Sequence, residues 1–222
     1  MSKGVFITAT GTDVGKTYIS AVLVRSMLQV GNSCGYYKAA ASGAASFEES
    51  DAGFVMQFSG MSQEKESMLS YQYQRPVSPH LAARWEGSPL CMDQVRDDYG
   101  AVCQTYPYVV VEGAGGIVCP LRWDARKQIL QEELVKTLSL PALVVTGAEV
   151  GSINASVLTI FYLKSKGIPI KGMILNRYTG TAVEKDNRHM IETLTGVPIL
   201  ACVKEKDRTL MLSKRCLEEL FE

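Results

Sequence analysis

The chain carries no net charge, no long apolar run and few histidines. Its 222 residues include 23 lysines and arginines and 23 aspartates and glutamates, so the formal net charge is zero. A nucleic-acid-binding surface usually needs an excess of positive charge, which this balance does not supply. The apolar runs, such as residues 108–111, are far shorter than the roughly 20 residues of a membrane-spanning helix. We therefore expect no nucleic acid and no membrane among its partners.

Cysteine and histidine are present, but not in patterns that indicate a metal site. The cysteines have no C-x-x-C spacing, and the N-terminus shows no export signal, so we predict reduced, mostly buried thiols in a cytoplasmic protein. His80 and His189 are interpreted as structural, because no Ser/His/Asp or metal-binding histidine arrangement accompanies them. The six cysteines are Cys34, Cys91, Cys103, Cys119, Cys202 and Cys216.

The chain does contain a glycine-bearing turn between an apolar run and a helical pattern. Residues 5–7 are apolar, residues 8–17 read T-A-T-G-T-D-V-G-K-T, and a helical period follows directly. A phosphate-binding loop requires this order of strand, turn and helix. The position of the turn therefore predicts a site for a phosphate-bearing ligand near the N-terminus.

Three residues of this turn have side chains or backbones suited to phosphate. Gly15 would let the backbone pass close to a phosphate, and Lys16 would reach the outer phosphates. The Thr17 hydroxyl would ligate Mg²⁺. The strict motif has a glycine where Thr10 stands, and Gly11 comes one residue late. An ordinary helix start therefore stays open as the alternative.

Strand and helix patterns alternate along the rest of the chain. β-Branched runs such as 108–111 predict strands that are buried on both faces of a parallel sheet. The alternation predicts an α/β P-loop fold with a mostly parallel, doubly wound sheet and helices on both faces. Residues 39–43 and 71–79 read as irregular, no linker is visible, and we predict a single domain over residues 1–222. The predicted strands include 33–38, 108–111, 142–146, 170–175 and 199–203, and the predicted helices are 18–30, 80–85, 92–105, 127–138, 152–166, 186–194 and 210–220, with another starting near Asp51.

Polar and glycine-rich clusters follow nearly every predicted strand. In a doubly wound sheet, ligands bind beyond the carboxyl ends of the strands. The candidate site residues therefore lie in 8–17, 38–43, 112–116 and 147–154, and at Asn176.

Two carboxylates are candidates for a magnesium site. Glu112 closes the strand before the glycine-rich segment 113–116, where an acidic residue can hold the metal of a nucleotide. A helix cap or a salt bridge is the alternative. Asp51 stands at a predicted helix start, where it could be a second carboxylate near Mg²⁺ or only a cap.

Two further groups could bind anions. Lys38 ends an apolar strand and could neutralise charge during a transfer, or it could be an ordinary exposed strand-end lysine. The segment Gly151–Asn154 opens a helix whose free N–H groups could bind a carboxylate. A cap by Ser152 alone is the alternative.

These motifs together resemble the dethiobiotin synthetase family from the N-terminus to about Leu200. The phosphate loop is similar to the lengthened loop of that family, with an acidic residue before V-G-K-T. Residues 37–43 resemble its second motif, except that Ala39 replaces the usual proline. The remaining matches, in chain order, are Ser50–Ala52, Ser78–His80, Val111–Gly116, Gly151–Asn154 and Leu175–Asn176.

The resemblance implies an ATP- and Mg²⁺-dependent ligase of biotin synthesis. One amine of 7,8-diaminopelargonic acid would take CO₂ to form a carbamate, which would attack the γ-phosphate of ATP. The second amine would attack the resulting carbamic-phosphoric anhydride and close the ring. The family is expected to be a homodimer whose two sites lie at the subunit interface.

The resemblance also implies a role for each site residue. Lys38, Lys16 and Thr12 would be catalytic, while Thr17, Asp51 and Glu112 would hold Mg²⁺. Thr12 and Ser42 would contact the amine and carbamate end of the substrate, and Gly151, Ser152, Ile153 and Asn154 of the other subunit would bind its carboxylate. Asn176 would contact adenine. The implied nucleotide-binding residues are Asp13, Val14, Gly15, Lys16, Thr17, Tyr18, Asp51, Glu112, Gly113, Ala114, Gly115 and Asn176.

Other interpretations differ from this one in specific features. A partition or division ATPase would carry lysine at the position of Gly11 and often ends in a basic helix, whereas residues 216–222 are acidic. An amide ligase of the cobyrinate type would bring a glutaminase domain, and a non-catalytic nucleotide-binding module would not need Lys38, Asp51 and Glu112. The family usually carries a proline-containing nucleotide loop where this chain has residues 201–207, which leaves base contacts and the preference for ATP over CTP open.

Overall fold

The computed structural model describes residues 3–222, which form one seven-stranded parallel sheet, a small hairpin and eight helices. The strands are β1 (Lys3–Ala9), β2 (Cys34–Ser42), β3 (Leu69–Tyr73), β4 (Tyr108–Glu112), β5 (Pro120–Trp123), β6 (Gln128–Leu130), β7 (Ala142–Thr146), β8 (Ile170–Leu175) and β9 (Ile199–Cys202). The helices are α1 (Lys16–Gln29), α2 (Asp51–Ser59), α3 (Pro79–Trp85), α4 (Met92–Thr105), α5 (Gln131–Thr137), α6 (Ser152–Ser165), α7 (Ala182–Thr195) and α8 (Lys214–Glu219), and a short 3₁₀ turn covers Lys65–Ser67.

The strand order of the sheet is β3-β2-β4-β1-β7-β8-β9, and every neighbouring pair is parallel. The register pairs Ile7 of β1 with Glu112 of β4, and Tyr37 of β2 with Val111 of β4. Three strands that are far apart in sequence therefore bring the phosphate loop, Glu112 and Lys38 to one edge of the sheet.

Two apolar cores lie on opposite faces of the sheet. Val110 faces the core that includes residues of α1, α2 and α8, whereas Val109 and Val111 face the core that includes residues of α3 to α7. All three side chains are fully buried, and burial of each stabilises the fold by roughly 1.5 kcal/mol or more. The helices on both faces explain why the β4 sequence is continuously apolar rather than alternating. No helix within residues 3–222 has the length and apolar character needed to cross a membrane.

Several predicted elements agree with the structure. The strands 142–146 and 170–175 and the helix 92–105 have the predicted bounds, and α3 begins at Pro79, in the first turn as expected. The α/β P-loop fold with a parallel sheet and helices on both faces is confirmed.

Two predictions of irregular structure were wrong. Residues 39–42 continue β2, and the segment after residue 68 contains β3, because the two strands pair with each other from Lys38–Leu69 to Ser42–Tyr73. This pairing outweighs the weak strand propensity of alanine. Lys38 is consequently inside a strand and buried, not at an exposed strand end.

Two helix starts were placed too early. The predicted helix 127–138 begins at Gln131, because Asp124 accepts hydrogen bonds from the backbone N–H groups of Arg126 and Lys127 and closes the turn of the β5–β6 hairpin. The last helix begins at Lys214 instead of residue 210. The side chain of Ser213 caps this observed start.

The expectation of mostly buried thiols was also wrong. All six cysteines are free, and two of them, Cys34 and Cys119, are buried. Cys91 and Cys216 are exposed, and the other two are partly exposed.

Candidate active site

A cleft of about 980 Å³ opens at the carboxyl ends of β1, β2 and β4. Eleven residues predicted from the sequence line it, and they come from four separate segments of the chain. They are Thr12, Asp13, Gly15, Lys16, Thr17, Lys38, Ser42, Asp51, Glu112, Ala114 and Gly115.

The phosphate loop connects β1 to α1 through a left-handed residue. Gly15 precedes α1 with φ 99°, a backbone conformation that favours glycine. A Cβ atom at this position would lie 2.1 Å from Nδ2 of Asn176, so a side chain would also collide with that amide. The same Nδ2 donates a hydrogen bond of 2.9 Å to the carbonyl of Val14. The Asn176 side chain therefore packs against the phosphate loop at Val14 and Gly15 and fixes its backbone.

Lys16 is the first residue of α1 and is 7% exposed. Its Nζ atom lies 3.5 Å from the carbonyl oxygen of Gly11 across the loop. Burial lowers the pKa of Lys16, and the positive charge of Lys38 lowers it further. A poorly solvated ammonium group beside a helix N-terminus is suited to a polyanionic ligand.

Lys38, Thr17, Asp51 and Glu112 meet at the bottom of the cleft. The Lys38 Nζ atom lies 2.6 Å from Oδ2 of Asp51 and 2.7 Å from Oε1 of Glu112. The Thr17 Oγ1 atom lies 3.0 Å from Oδ1 of Asp51 and 2.8 Å from the same Oε1 of Glu112. Side chains from α1, β2, α2 and β4 thus form one hydrogen-bonded group.

Charge interactions keep Lys38 and Asp51 ionised despite their burial. Burial lowers the pKa of Lys38, but the charges of Glu112 and Asp51 outweigh that effect and raise it above its usual value. Burial raises the pKa of Asp51, but Lys38 outweighs it and holds the pKa of that carboxyl below its usual range. Asp51 begins α2, where Ser50 rather than Asp51 accepts the capping hydrogen bond from the Gly53 N–H. The Asp51 carboxylate is therefore available to the cleft.

The oxygen donors of this group fit a magnesium ion. Mg²⁺ is usually held by one or two carboxylates together with water and substrate phosphates. Thr17, Asp51 and Glu112 supply one hydroxyl and two carboxylates within hydrogen-bond distance of one another. Residues 3–222 contain no group of three or more His, Cys, Asp or Glu side chains placed to hold a metal ion. Water and substrate oxygens would complete the coordination of an ion held by Thr17, Asp51 and Glu112.

A glutamine side chain, which the sequence reasoning missed, holds the glycine-rich segment after β4. Gln131 is fully buried, its Oε1 accepts a 2.6 Å hydrogen bond from the Ala114 N–H, and its Nε2 donates to the Gly116 carbonyl at 2.9 Å. Gly113 packs so closely on this side chain that an added Cβ would lie 2.9 Å from it. Residue 131 lies at the start of α5, which the sequence prediction had begun four residues too early.

Two small hydroxyl residues lie on the walls of the cleft. Thr12 is exposed in the phosphate loop, and Ser42 ends β2. The Oγ atom of Ser42 is buried but has no hydrogen-bond partner among the described residues. A hydroxyl in this situation suits a polar group of a ligand.

Eight predicted site residues do not line the cleft. The Tyr18 hydroxyl donates to the carbonyl of Asp207 at 2.6 Å, and Asn176 lies behind the phosphate loop. Gly151–Asn154 lie at the start of α6, where they were expected to serve the other subunit. The eight residues are Val14, Tyr18, Gly113, Gly151, Ser152, Ile153, Asn154 and Asn176.

Ten lining residues were not predicted individually, although Ala40 and Gly116 lie within the predicted segments 38–43 and 112–116. Four of the ten follow β3. Because that strand was not recognised, its carboxyl end was not assigned to the site, and Ser78–His80 was noted as a motif match alone. Arg177 comes one residue after the predicted Asn176, and a wider window would have included it. The ten are Ala40, Pro76, Val77, Ser78, Pro79, Gly116, Val118, Cys119, Pro120 and Arg177.

The chain is similar to known proteins over nearly its whole length. A family model described as an AAA domain matches residues 3–210. The chain is 42% identical to the ATP-dependent dethiobiotin synthetase BioD of Brachyspira hyodysenteriae over 100% of both chains, and 38% identical to that of Clostridium botulinum (strain Loch Maree) over 98% of both. The septum site-determining protein MinD complexed with Mg-ADP from Pyrococcus horikoshii aligns at a TM-score of 0.57 and 14% identity, over 99% of this chain and 94% of that chain, which shows a shared fold alone.

Proposed function

The chain belongs to the ATP-dependent dethiobiotin synthetase family, and from this premise we propose how its cleft carries out the reaction. It is an enzyme of biotin biosynthesis that forms dethiobiotin at the expense of ATP. One observation supports the proposal more than any other: Lys16, Lys38, Thr17, Asp51 and Glu112 lie in a single cleft beside the phosphate loop. The substrates are 7,8-diaminopelargonic acid, CO₂ and ATP.

The phosphate loop binds the triphosphate of ATP. The backbone around Gly15 approaches the phosphates, and the N-terminus of α1 favours their negative charge. Lys16 adds an ammonium group with few competing partners, since its nearest hydrogen-bond acceptor is the Gly11 carbonyl at 3.5 Å. Asp13, Val14, Tyr18 and Asn176, together with residues 113–115, complete the nucleotide site.

Thr17, Asp51 and Glu112 hold Mg²⁺ in this proposal. When bound, the ion neutralises charge on the β- and γ-phosphates. The three side chains place their oxygens on the side of the cleft next to Lys16, where those phosphates would lie.

Thr12 and Ser42 bind the amine and carbamate end of the diamine. The buried Oγ of Ser42 lacks a protein partner, and a substrate N–H or carbamate oxygen would satisfy it. With the diamine held there, the carbamate forms when the lone pair of one amine attacks CO₂ and that nitrogen loses a proton.

Lys16 and Lys38 stabilise charge during the transfer. A carbamate oxygen attacks the γ-phosphorus, the bond to the β,γ-bridging oxygen breaks, and ADP leaves. The second amine then attacks the carbonyl carbon of the carbamic-phosphoric anhydride. As the ring closes, inorganic phosphate leaves and the attacking nitrogen releases a proton to solvent. Positioned ammonium groups lower the barrier because they are already in place when negative charge develops.

The carboxylate of the substrate binds at the start of α6 in a second subunit. The residue before this helix, Gly151, provides no side-chain cap, and the Ser152 N–H donates to the Glu149 carbonyl at 3.1 Å. The next two N–H groups of α6, those of Ile153 and Asn154, therefore remain available to a carboxylate. The Ser152 Oγ is also buried without a hydrogen-bond partner within the described residues. These features support Gly151–Asn154 as the carboxylate site.

An apolar face beside that helix start supports a homodimer. Val150, Leu158 and Phe161 are 89%, 62% and 54% exposed. Leu158 and Phe161 are three positions apart on α6 and therefore share one side of the helix. A second copy of the chain packed there would bury these side chains and bring Asn154 to the cleft of its partner.

Product formation tests the function directly. The protein is incubated with diaminopelargonate, ¹⁴C-bicarbonate, Mg²⁺ and ATP, and acid-stable label is identified as dethiobiotin. We expect label to depend on all four components and to be absent with Lys16→Ala at unchanged thermal stability. Label formed at wild-type rate by Lys16→Ala would refute the assignment of the phosphate loop.

A further inference from the structure

A buried tyrosine lies beneath the proposed magnesium site. Tyr36 is fully buried in β2, two residues before Lys38, and alternate residues of a strand share a face of the sheet. The register pairs Tyr36 with Val110 of β4, so Glu112 is the next residue on the same face of that strand. The Tyr36 hydroxyl donates a 3.0 Å hydrogen bond to Oε2 of Glu112.

The two oxygens of Glu112 have different partners. Oε1 faces the Lys38 ammonium at 2.7 Å and the Thr17 hydroxyl at 2.8 Å, on the cleft side. Oε2 has the Tyr36 hydroxyl as its hydrogen-bond partner among the described residues. Because the carboxylate can rotate about its terminal torsion, a partner on each oxygen is needed to fix its plane.

We propose that Tyr36 is a positioning residue that orients the Glu112 carboxylate so that Oε1 faces the magnesium and Lys38 side of the cleft. Partners behind a metal ligand commonly fix its orientation and raise its affinity for the metal. The inference rests on the proposed magnesium role of Glu112.

The buried phenol supplies a donor that solvent does not replace. The Tyr36 hydroxyl is the hydrogen-bond donor to Oε2 of Glu112, and its side chain is fully buried. Without it, Oε2 would be a buried carboxylate oxygen lacking a donor, which is costly in an apolar surrounding.

The neighbouring tyrosine provides a matched control. Tyr37 is also fully buried in β2, but its side chain lies in the core on the opposite face. Its hydroxyl is hydrogen-bonded to the Ser70 Oγ at 2.5 Å and the Val95 carbonyl at 3.1 Å. Phenylalanine at position 36 or at position 37 removes one buried hydroxyl from the same strand. Of these two hydroxyls, that of Tyr36 is the one that is hydrogen-bonded to Glu112.

The test compares Tyr36→Phe with Tyr37→Phe by direct metal binding. Mn²⁺ affinity is measured by electron paramagnetic resonance in the presence of ADP, and Mg²⁺ dependence is measured separately in the dethiobiotin assay. We expect Tyr36→Phe to weaken Mn²⁺ binding and to raise the Mg²⁺ concentration for half-maximal activity, each by about 10-fold or more. Tyr37→Phe should leave both values at the wild-type level, even where it lowers the thermal unfolding temperature as much.

A third variant separates this inference from the function on which it rests. Glu112→Gln should lose most Mn²⁺ binding if Glu112 is a metal ligand. If Glu112→Gln loses Mn²⁺ but Tyr36→Phe binds it as the wild type does, the role of Tyr36 is refuted and that of Glu112 stands. If Glu112→Gln binds Mn²⁺ normally, the metal role of Glu112 is itself wrong, and the inference is overturned with it.

Discussion

Lys38 is an ammonium group buried between two carboxylates, so its removal changes catalysis and charge balance together. We predict that Lys38→Ala lowers kcat by about 10²- to 10³-fold, because a donor at the developing charge is lost. ADP affinity should change little, since the phosphates are held by Lys16 and the loop around Gly15. Steady-state kinetics and calorimetric ADP binding measure the two effects. Lys65→Ala is the control, because Lys65 is exposed and pairs with Glu48 at the surface. If Lys38→Ala had the same kcat as this control, Lys38 would not stabilise charge in the reaction.

The same substitution has a consequence for stability. Without Lys38, the fully buried carboxylate of Glu112 loses its ion-pair partner, which typically costs about 3 kcal/mol. We predict that urea unfolding of Lys38→Ala without Mg²⁺ shows this loss, and that added Mg²⁺ and ADP restore part of it. We expect this partial recovery of stability because a bound Mg²⁺ would replace the lost Lys38 charge beside Asp51 and Glu112. No change of stability on adding them would argue that the two carboxylates do not bind metal.

We predict that Lys16 gives nucleotide binding a defined pH dependence. Its pKa in the protein lies below its ordinary value of 10.5, because burial and Lys38 disfavour the charged form. A triphosphate beside it favours the charged form and raises the pKa again. The affinity for ATP should therefore be full below the pKa of the free protein and should fall as pH rises through it.

Nucleotide affinity measured from neutral to alkaline pH tests this dependence. The wild type should lose nucleotide affinity at a pH below 10.5, the ordinary pKa of lysine. Lys16→Ala should bind nucleotide weakly at every pH, without this alkaline fall in affinity. The same alkaline step in Lys16→Ala would assign it to another group.

The segment after β4 depends on one side chain of α5. Gln131 hydrogen-bonds both the Ala114 N–H and the Gly116 carbonyl, and no water competes because the side chain is fully buried. We predict that Gln131→Leu lowers the free energy of unfolding by about 2 kcal/mol, because two backbone groups and the site of a buried amide lose their hydrogen bonds. It should also raise the KM for ATP, because residues 114–116 line the cleft.

Hydrogen exchange distinguishes a local effect from a general one. In Gln131→Leu the amides of 113–119 should exchange faster, while those of β7 and β8 stay protected. Gln128→Leu is the control, because Gln128 is exposed on β6. Equal exchange of 113–119 in the two variants would show that Gln131 does not hold the segment.

The elements also explain how far the sequence could predict this site. The phosphate loop was found because strand, turn and helix are contiguous, and Glu112 because it ends a strand of unbroken β-branched residues. β3 and the end of β2 were missed, since their pairing joins residues 31 apart and alanine alone gives no strand signal. The contact of Lys38 with Glu112 depends on β2 lying next to β4, and the strand order cannot be read from local patterns. Gln131 was missed for a similar reason, because an ordinary helical glutamine gains its role only through tertiary contact.

The proposed site is complete only when two chains meet. The Lys16 cleft of one subunit would receive Asn154 from the other subunit. In a dimer that combines a Lys16→Ala chain with an Asn154→Ala chain, one site carries both defects and the other carries neither. We predict that mixing the two inactive variants after reversible dissociation restores about a quarter of wild-type activity, because about half of the dimers are mixed and each has one intact site.

A second mixture provides the matched control for this experiment. Lys16 and Lys38 line the same cleft of one chain, so each site of a mixed Lys16→Ala and Lys38→Ala dimer keeps one defect. That mixture should remain inactive under identical conditions. Rescue in both mixtures, or in neither, would contradict a site shared between α6 of one subunit and the cleft of the other, whereas rescue of the Asn154→Ala mixture alone is the pattern that a shared site requires.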